Sequence, residues 1–430
     1  MTRTAYMNAR LLDPATGLDQ VGGLLCDNET IVDLGPNLFT DGTPDGVKTI
    51  DCGGHCLLPG LVDMRVQLRE PGDEHKGTLE SAGRTASAGG VTSMVCLPNT
   101  DPVIDDMSVL EFVARRARKL GLAKAYAYGA VTKGLDGEEL AEIGLLAEAG
   151  ALAFTDGIKP VSDSKIMRRA LSYANTFGLM IIQHAEDVSL ARGGAMISGE
   201  TATRLGLSGI PHEAEVIMVE RDLHLARATG GRLHFGHLSS AQAINAVRKA
   251  KAEGLAVTCD TAPPYFALNE TSIGDYRTFA KLSPPLRTED DRQAVVEGLK
   301  DGTIDAIASD HAPQDEESKR LPFADAAFGG IGLETLLSIT LELYHNGHLS
   351  LIEALRLVTA GPARLLGLNA GHLIKGAPAD LVLLDPQRAW KIVADNMQSI
   401  SKNSPFDGRP VQGQVLRTIV DGRTVYQHGS

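Results

Sequence analysis

The sequence predicts an α/β chain: a TIM-like (β/α)8 barrel carrying a small β domain formed by both termini. Three observations predict it. Apolar strand-like runs alternate with amphipathic helical stretches through the middle of the chain, both ends consist of short β-branched runs broken by turn residues, and most of the middle runs close on a polar side chain. At 430 residues the chain is too long for one small core and suits one large domain plus a smaller one, placed at 58–370 and at 1–57 plus 371–430.

At the start, "TAYMNARLLD", "GGLLCDNETIVDLG" and "VKTIDCGGHCLLPG" read as strands separated by Gly, Asp and Asn turns, with no helical pattern between them. The end returns to the same style in "ADLVLLDP", "GQVLRTIVDG" and "RTVYQHGS". Strands that bracket a large middle domain bring the two ends together into one sheet. In the middle, the strand-like runs are "VTSMVCLPNT", "AKAYAYGAVT", "GALAFTDG", "GLMIIQHAED", "RLHFGHLS", "LAVTCDTAP" and "IDAIASDHAP". Between them, stretches such as "MRRALSYANTFG" and "AQAINAVRKAKAEG" carry apolar residues at helical spacing. Such alternation argues for a parallel sheet, and the number of repeats suits a closed barrel.

Composition excludes several classes of function. A net charge of −13 provides no basic footprint for nucleic acid. No apolar run approaches the roughly 18 residues of a membrane span, and the first residues lack a signal-peptide core, so the expected location is the cytoplasm. The five cysteines, Cys26, Cys52, Cys56, Cys96 and Cys259, lie mostly in apolar runs and read as buried thiols.

In a barrel of this kind the strand ends face the rim that carries the chemistry. They offer Asp63, Asn99, Asp156, His184, His237 and Asp310. Two imidazoles and two carboxylates converging on one rim suit a zinc-type ion and its activated water. Taken singly, each has a plainer reading: a lone strand-end His is more often a hydrogen-bonded rim residue, and an Asp after a strand is as often a turn former or helix cap.

Several stretches together carry a specific resemblance: "PGLVDMRVQLREPG", "KGTLESAGRTASAGGVTSMVCLPNT", "QHAED", "RLGLSGIPHEAE", "LHFGHLSS", "SPPLR", "IASDHAP", "FGGIGLET", "KGAPADLVLLDP" and "KNSPFDGRPVQGQV". In these the chain resembles the dihydroorotases of the amidohydrolase superfamily, in the class similar to the dihydroorotase part of multifunctional pyrimidine enzymes. The resemblance implies the same barrel and terminal β domain, and reversible ring closure of carbamoyl aspartate to dihydroorotate. Position by position, it implies metal ligation by Asp156, His184 and His237, and proton transfer by Asp310. It further implies that Arg69 and Asn99 hold the substrate carboxylate and that the backbone of Phe328 and Gly329 meets the ring.

Four positions depart from that pattern. Where the family has a first-strand His-x-His, this chain has Arg65 and Gln67; Ser283 stands for an Asn, and Gln314 for a His. Residues two apart on a strand face the same side, so positions 65 and 67 both point into the barrel. An Arg has no lone pair to offer a metal. The expectation is therefore zinc or no metal, at most one ion, with the Arg65 guanidinium a candidate substitute that can bridge Asp156 and Asp310 and lies within hydrogen-bond reach of one or the other. Three functions follow from the resemblance. The first is a non-catalytic structural partner of aspartate transcarbamoylase; the second is an active dihydroorotase using one zinc-type metal; the third is a related cyclic amidohydrolase. A homo-oligomer is expected in each case.

Overall fold

The computed structural model describes residues 3–40 and 42–429. Barrel strands run at Leu61–Val66, Val91–Cys96, Lys124–Ala127, Met180–His184, Arg232–Gly236, Val257–Thr261 and Ala306–Ile307. Between the third and the strand at Met180–His184, Phe154 alone bridges in parallel to Gly129 on one side and Ile181 on the other. The run "GALAFTDG" thus fills the fourth of eight places with a single paired residue. Val66 bridges His311 in parallel, so the last strand meets the first and the ring closes.

The pairs among these strands are parallel, which demands helical crossovers on the outside. Helix Ser164–Thr176 shows how they form: Asp163 caps its start by accepting from the amides of Lys165 and Ile166, and Ile166, Met167, Ala170, Leu171 and Ala174 bury one face. Helix Glu213–Thr229 packs beside it and stops at Gly230, whose left-handed backbone suits a residue without Cβ.

Both ends of the chain meet in one antiparallel and parallel sheet. Residues 56–59 run parallel to Arg10–Leu11 and antiparallel to Leu381–Leu384, so an N-terminal strand is held directly between the first strand and the C-terminal ones. Tyr6, Leu11, Leu24, Leu57, Leu373, Leu381 and Ile419 make its separate core. The connection from Leu381–Lys391 to Pro410–Val420 leaves this sheet and reaches across to the barrel mouth. All five cysteines are buried free thiols. Among the described residues, no helix is long and apolar enough to cross a membrane.

Candidate active site

The barrel mouth holds a cavity of about 300 Å³ lined by Arg65, Arg69, His184, His237, Asp310 and Phe328, among others. The first strand delivers Arg65 inward, as its alternation requires, and the side chain is buried to 2 % exposure. Its Nε donates to Asp310 Oδ1 at 2.9 Å, and Nη2 donates to the Gly157 carbonyl at 3.2 Å. The guanidinium therefore reaches Asp310, one of the two expected carboxylates, and joins it to a backbone oxygen; it does not bridge Asp156 and Asp310.

Asp156 stands apart because another loop holds it. Its Oδ1 accepts from the amides of Val131 and Thr132, and its Oδ2 accepts from the Thr132 hydroxyl at 2.6 Å. Burial pushes this carboxyl above its ordinary value, against those three donors.

His184 and His237 come together as a pair. His184 Nδ1 and His237 Nε2 are 2.8 Å apart and share a hydrogen bond. His237 Nδ1 lies 3.2 Å from Asp310 Oδ2, and His184 Nε2 lies 3.8 Å from Glu186 Oε1. A chain of ionisable groups thus crosses the mouth from Glu186 through both imidazoles and Asp310 to Arg65. Burial pushes the Asp310 carboxyl up, but His237 and then Arg65 outweigh it and hold it below the ordinary carboxylate value. Burial, and next the Arg65 charge, lower the His237 imidazole. The Glu186 carboxyl is pushed up by burial and pulled further down by His184.

Three of these side chains sit on unusual backbone. Arg69, His237 and Asp310 have φ of 65°, 42° and 50°, a left-handed region that L-residues with large side chains seldom occupy. The strain is held by tertiary bonds: the His237 amide donates to Asp260 Oδ1 at 2.6 Å, and Arg69 Nε donates to the Pro313 carbonyl. Such strain concentrates where side chains are aimed at a ligand.

On the other wall, Asn99 Nδ2 donates to Gln67 Oε1 at 3.2 Å, and Gln314 Nε2 donates to the Phe328 carbonyl at 2.7 Å. Gly329 follows with φ of 117°, and a Cβ there would come within 2.8 Å of the Ala312 Cβ, so only glycine fits. Ser283 lines the same cavity. Sequence reasoning placed Arg65, His184, His237 and Asp310 on one rim, and they are there together. It missed Glu186, although "QHAED" was in view, because an acid two residues past a strand end gives no sign of turning back toward the His. It also missed Asn403, which reaches the site from the C-terminal connection.

The donors at the mouth do not make the set that the metal implied by the resemblance needs. Among the described residues, no three His, Cys, Asp or Glu side chains group so as to hold an ion. Asp156 is turned toward the Val131–Thr132 loop, and an always-protonated guanidinium occupies Asp310. The residues as arranged do not fit the metal.

A closed parallel barrel with a strained, ionisable rim and a sheet made from both termini defines an amidohydrolase-type protein. The match to known families goes further. Residues 54–243 match the family described as Dihydro-orotase-like. A curated protein from Anaplasma phagocytophilum (strain HZ) named "Dihydroorotase" is 47 % identical over 429 residues, covering 98 % of this chain and 95 % of that one. One of the same name from Syntrophotalea carbinolica is 46 % identical, covering 98 % of both. The chain belongs to the dihydroorotase family. Among solved structures, the L-hydantoinase (dihydropyrimidinase) from Arthrobacter aurescens superposes with a TM-score of 0.88 at 26 % identity, covering 100 % of this chain and 97 % of that one. A dihydropyrimidinase from Brevibacillus agri superposes with a TM-score of 0.83 at 22 % identity, covering 99 % and 95 %, a likeness of fold.

Proposed function

We propose that this chain is a non-catalytic dihydroorotase-like protein of cytoplasmic pyrimidine biosynthesis, kept as a structural partner of aspartate transcarbamoylase. The observation that carries the reading is the Arg65–Asp310 pair. A general base needs a free lone pair and a pKa near the working pH. Asp310 has Arg65 on one oxygen and His237 on the other, and its carboxyl is held low. Two of the three other departing side chains act alike. Gln67 takes the Asn99 amide, and Gln314 takes the Phe328 carbonyl, so the groups that the resemblance assigns to substrate are satisfied from within.

The test is metal content by elemental analysis together with carbamoyl aspartate cyclisation on the same purified protein. The expected result is no stoichiometric metal and no turnover, with co-elution of aspartate transcarbamoylase on size exclusion at micromolar concentration. Turnover by this chain alone, with clean separation from the transcarbamoylase, overturns the proposal. The double variant Arg65→His with Gln67→His is expected to gain metal but little turnover, because Ser283 and Gln314 still leave substrate poorly held, and misplacement by about 1 Å costs on the order of a hundredfold.

A second reading has its own support. His184 and His237 remain adjacent at the cavity, and the curated relatives carry the name dihydroorotase. An enzyme using one zinc-type metal on Asp156, His184 and His237 requires Asp156 to leave the Thr132 loop. Stoichiometric zinc in the wild-type protein, lost on Asp156→Ala, is the result that would favour it.

A further inference from the structure

The long connection between the C-terminal strands Leu381–Lys391 and Pro410–Val420 contributes one side chain to the back of the site. Asn403 is 2 % exposed, and its amide is used in three directions. Its Nδ2 donates to the Ala312 carbonyl at 3.2 Å and to the Gly329 carbonyl at 3.0 Å, while its Oδ1 accepts from the Gln314 amide at 3.2 Å. Its own carbonyl accepts from the Ile331 amide. Two chain arms are involved. One runs on from Asp310 to Gln314, and the other carries Phe328 and Gly329; the Ala312 amide donates to the Gly330 carbonyl between them.

Neighbouring contacts act on the same region. Ser401 Oγ donates to the Lys76 carbonyl on the first-strand loop, and Pro405 lies so close to Gly330 that a Cβ there would meet it at 2.9 Å. Only a short side chain with both donors and an acceptor can satisfy two carbonyls and one amide from a single position. A buried carbonyl left without its donor is costly, so the three bonds fix the separation of the arms.

We propose that Asn403 is a positioning residue: it sets the spacing of the Asp310–Gln314 and Phe328–Gly329 arms and thereby makes the terminal β domain part of the site. The inference holds whether or not the pocket turns over substrate. Its test uses the full-length chain with Asn403→Ala and Asn403→Asp, followed by amide hydrogen exchange and dihydroorotate as the binding probe. The two variants fail differently. Asn403→Asp keeps an acceptor for the Gln314 amide but loses both donors, so the arms loosen and protection is expected to fall at the Ala312 amide, whose bond to the Gly330 carbonyl spans them, and to stay at Gln314; Asn403→Ala is expected to lose both. The losses should be tenfold or more, about what one hydrogen bond supplies, with the barrel strands unchanged. In a wild-type protein that binds dihydroorotate, binding is expected to weaken about tenfold in both variants, while Ser401→Ala leaves Ala312 and Gln314 protected whatever the wild type binds. Equal protection in wild type and both variants overturns the proposal, as does a uniform loss over the whole chain. A wild-type protein that does not bind dihydroorotate counts against a pyrimidine ligand for the pocket, and the exchange pattern then decides on Asn403 alone.

Discussion

Two buried guanidinium–carboxylate pairs share the upper half of the barrel, and they differ in what surrounds them. Arg287 and Glu215 are 3 % and 1 % exposed, and Glu215 also accepts from the hydroxyls of Ser239 and Ser240 and from the Ser240 amide. Arg65 and Asp310 are 2 % and 16 % exposed, and Asp310 has only Arg65 and one imidazole against it at the edge of a cavity. The chemistry of the two pairs is the same. The sealed pair ties the loop after strand Arg232–Gly236 to the barrel and belongs to the framework, whereas the open pair occupies a carboxylate that otherwise faces the cavity.

The largest expected effect breaks the sealed pair. Glu215→Ala strands the Arg287 charge and the serine donors, and should cost about 3–5 kcal/mol, read as a lower denaturation midpoint. A loss below about 1 kcal/mol would place Glu215 outside the framework.

Among the described residues a third buried carboxyl, Asp63, pairs with no cation, and it sharpens the contrast. Its Oδ1 accepts from the amides of Arg65 and Ser309, its Oδ2 has no partner, and burial pushes its pKa up to about 7. The folded protein therefore binds a proton here more tightly than the unfolded chain. The resulting stability is fully present below about pH 4 and is lost as pH rises through 7, by up to about 4 kcal/mol. Asp63→Asn should flatten that slope in denaturation measured between pH 4 and 8. An unchanged slope would show that Asp63 is ionised in the folded state.

Opening the cavity pair should cost less. Arg65→Ala leaves Asp310 with His237 as a partner that can take a proton, so the loss is about 1–3 kcal/mol. Because the Arg65 charge helps to lower the His237 imidazole, its removal should raise the His237 pKa in an NMR titration. A His237 pKa that stays or falls would break the link between the two groups. The smallest effect belongs to an exposed pair: Arg84→Ala, which loses the contact of Arg84 with Glu80 at 2.7 Å, should change stability by no more than about 0.5 kcal/mol.

The same contrast explains what the sequence disclosed. Strand alternation and the polar residue at each strand's end were enough to aim Arg65 inward and to bring His184, His237 and Asp310 to one rim, because both depend on local periodicity. The expected bridge between two carboxylates does not form, because what holds Asp156 away was not legible. Asp156 bonds to residues 131 and 132, and only the folded packing of two separate loops brings those donors to it. Asn403 lay in the motif "KNSPFDGRP", yet its partners at 312, 314 and 329 belong to other loops and leave no spacing in the chain. The fourth barrel strand could be read from "GALAFTDG", but not its contraction to one bridged residue, since pairing length is decided by the neighbours on either side.

The interleaving of the two ends also orders the making of the molecule. Residues 56–59 lie directly between Arg10–Leu11 and Leu381–Leu384, so this strand has no partner on its outer edge until the C-terminal segment has left the ribosome. The barrel helices and strands can collapse as they emerge, while the first strands wait with apolar residues such as Leu57 and Leu11 uncovered. A chain cut before Leu381 is thus expected to leave that edge open to aggregation and proteases, since the C-terminal strands cover the N-terminal ones.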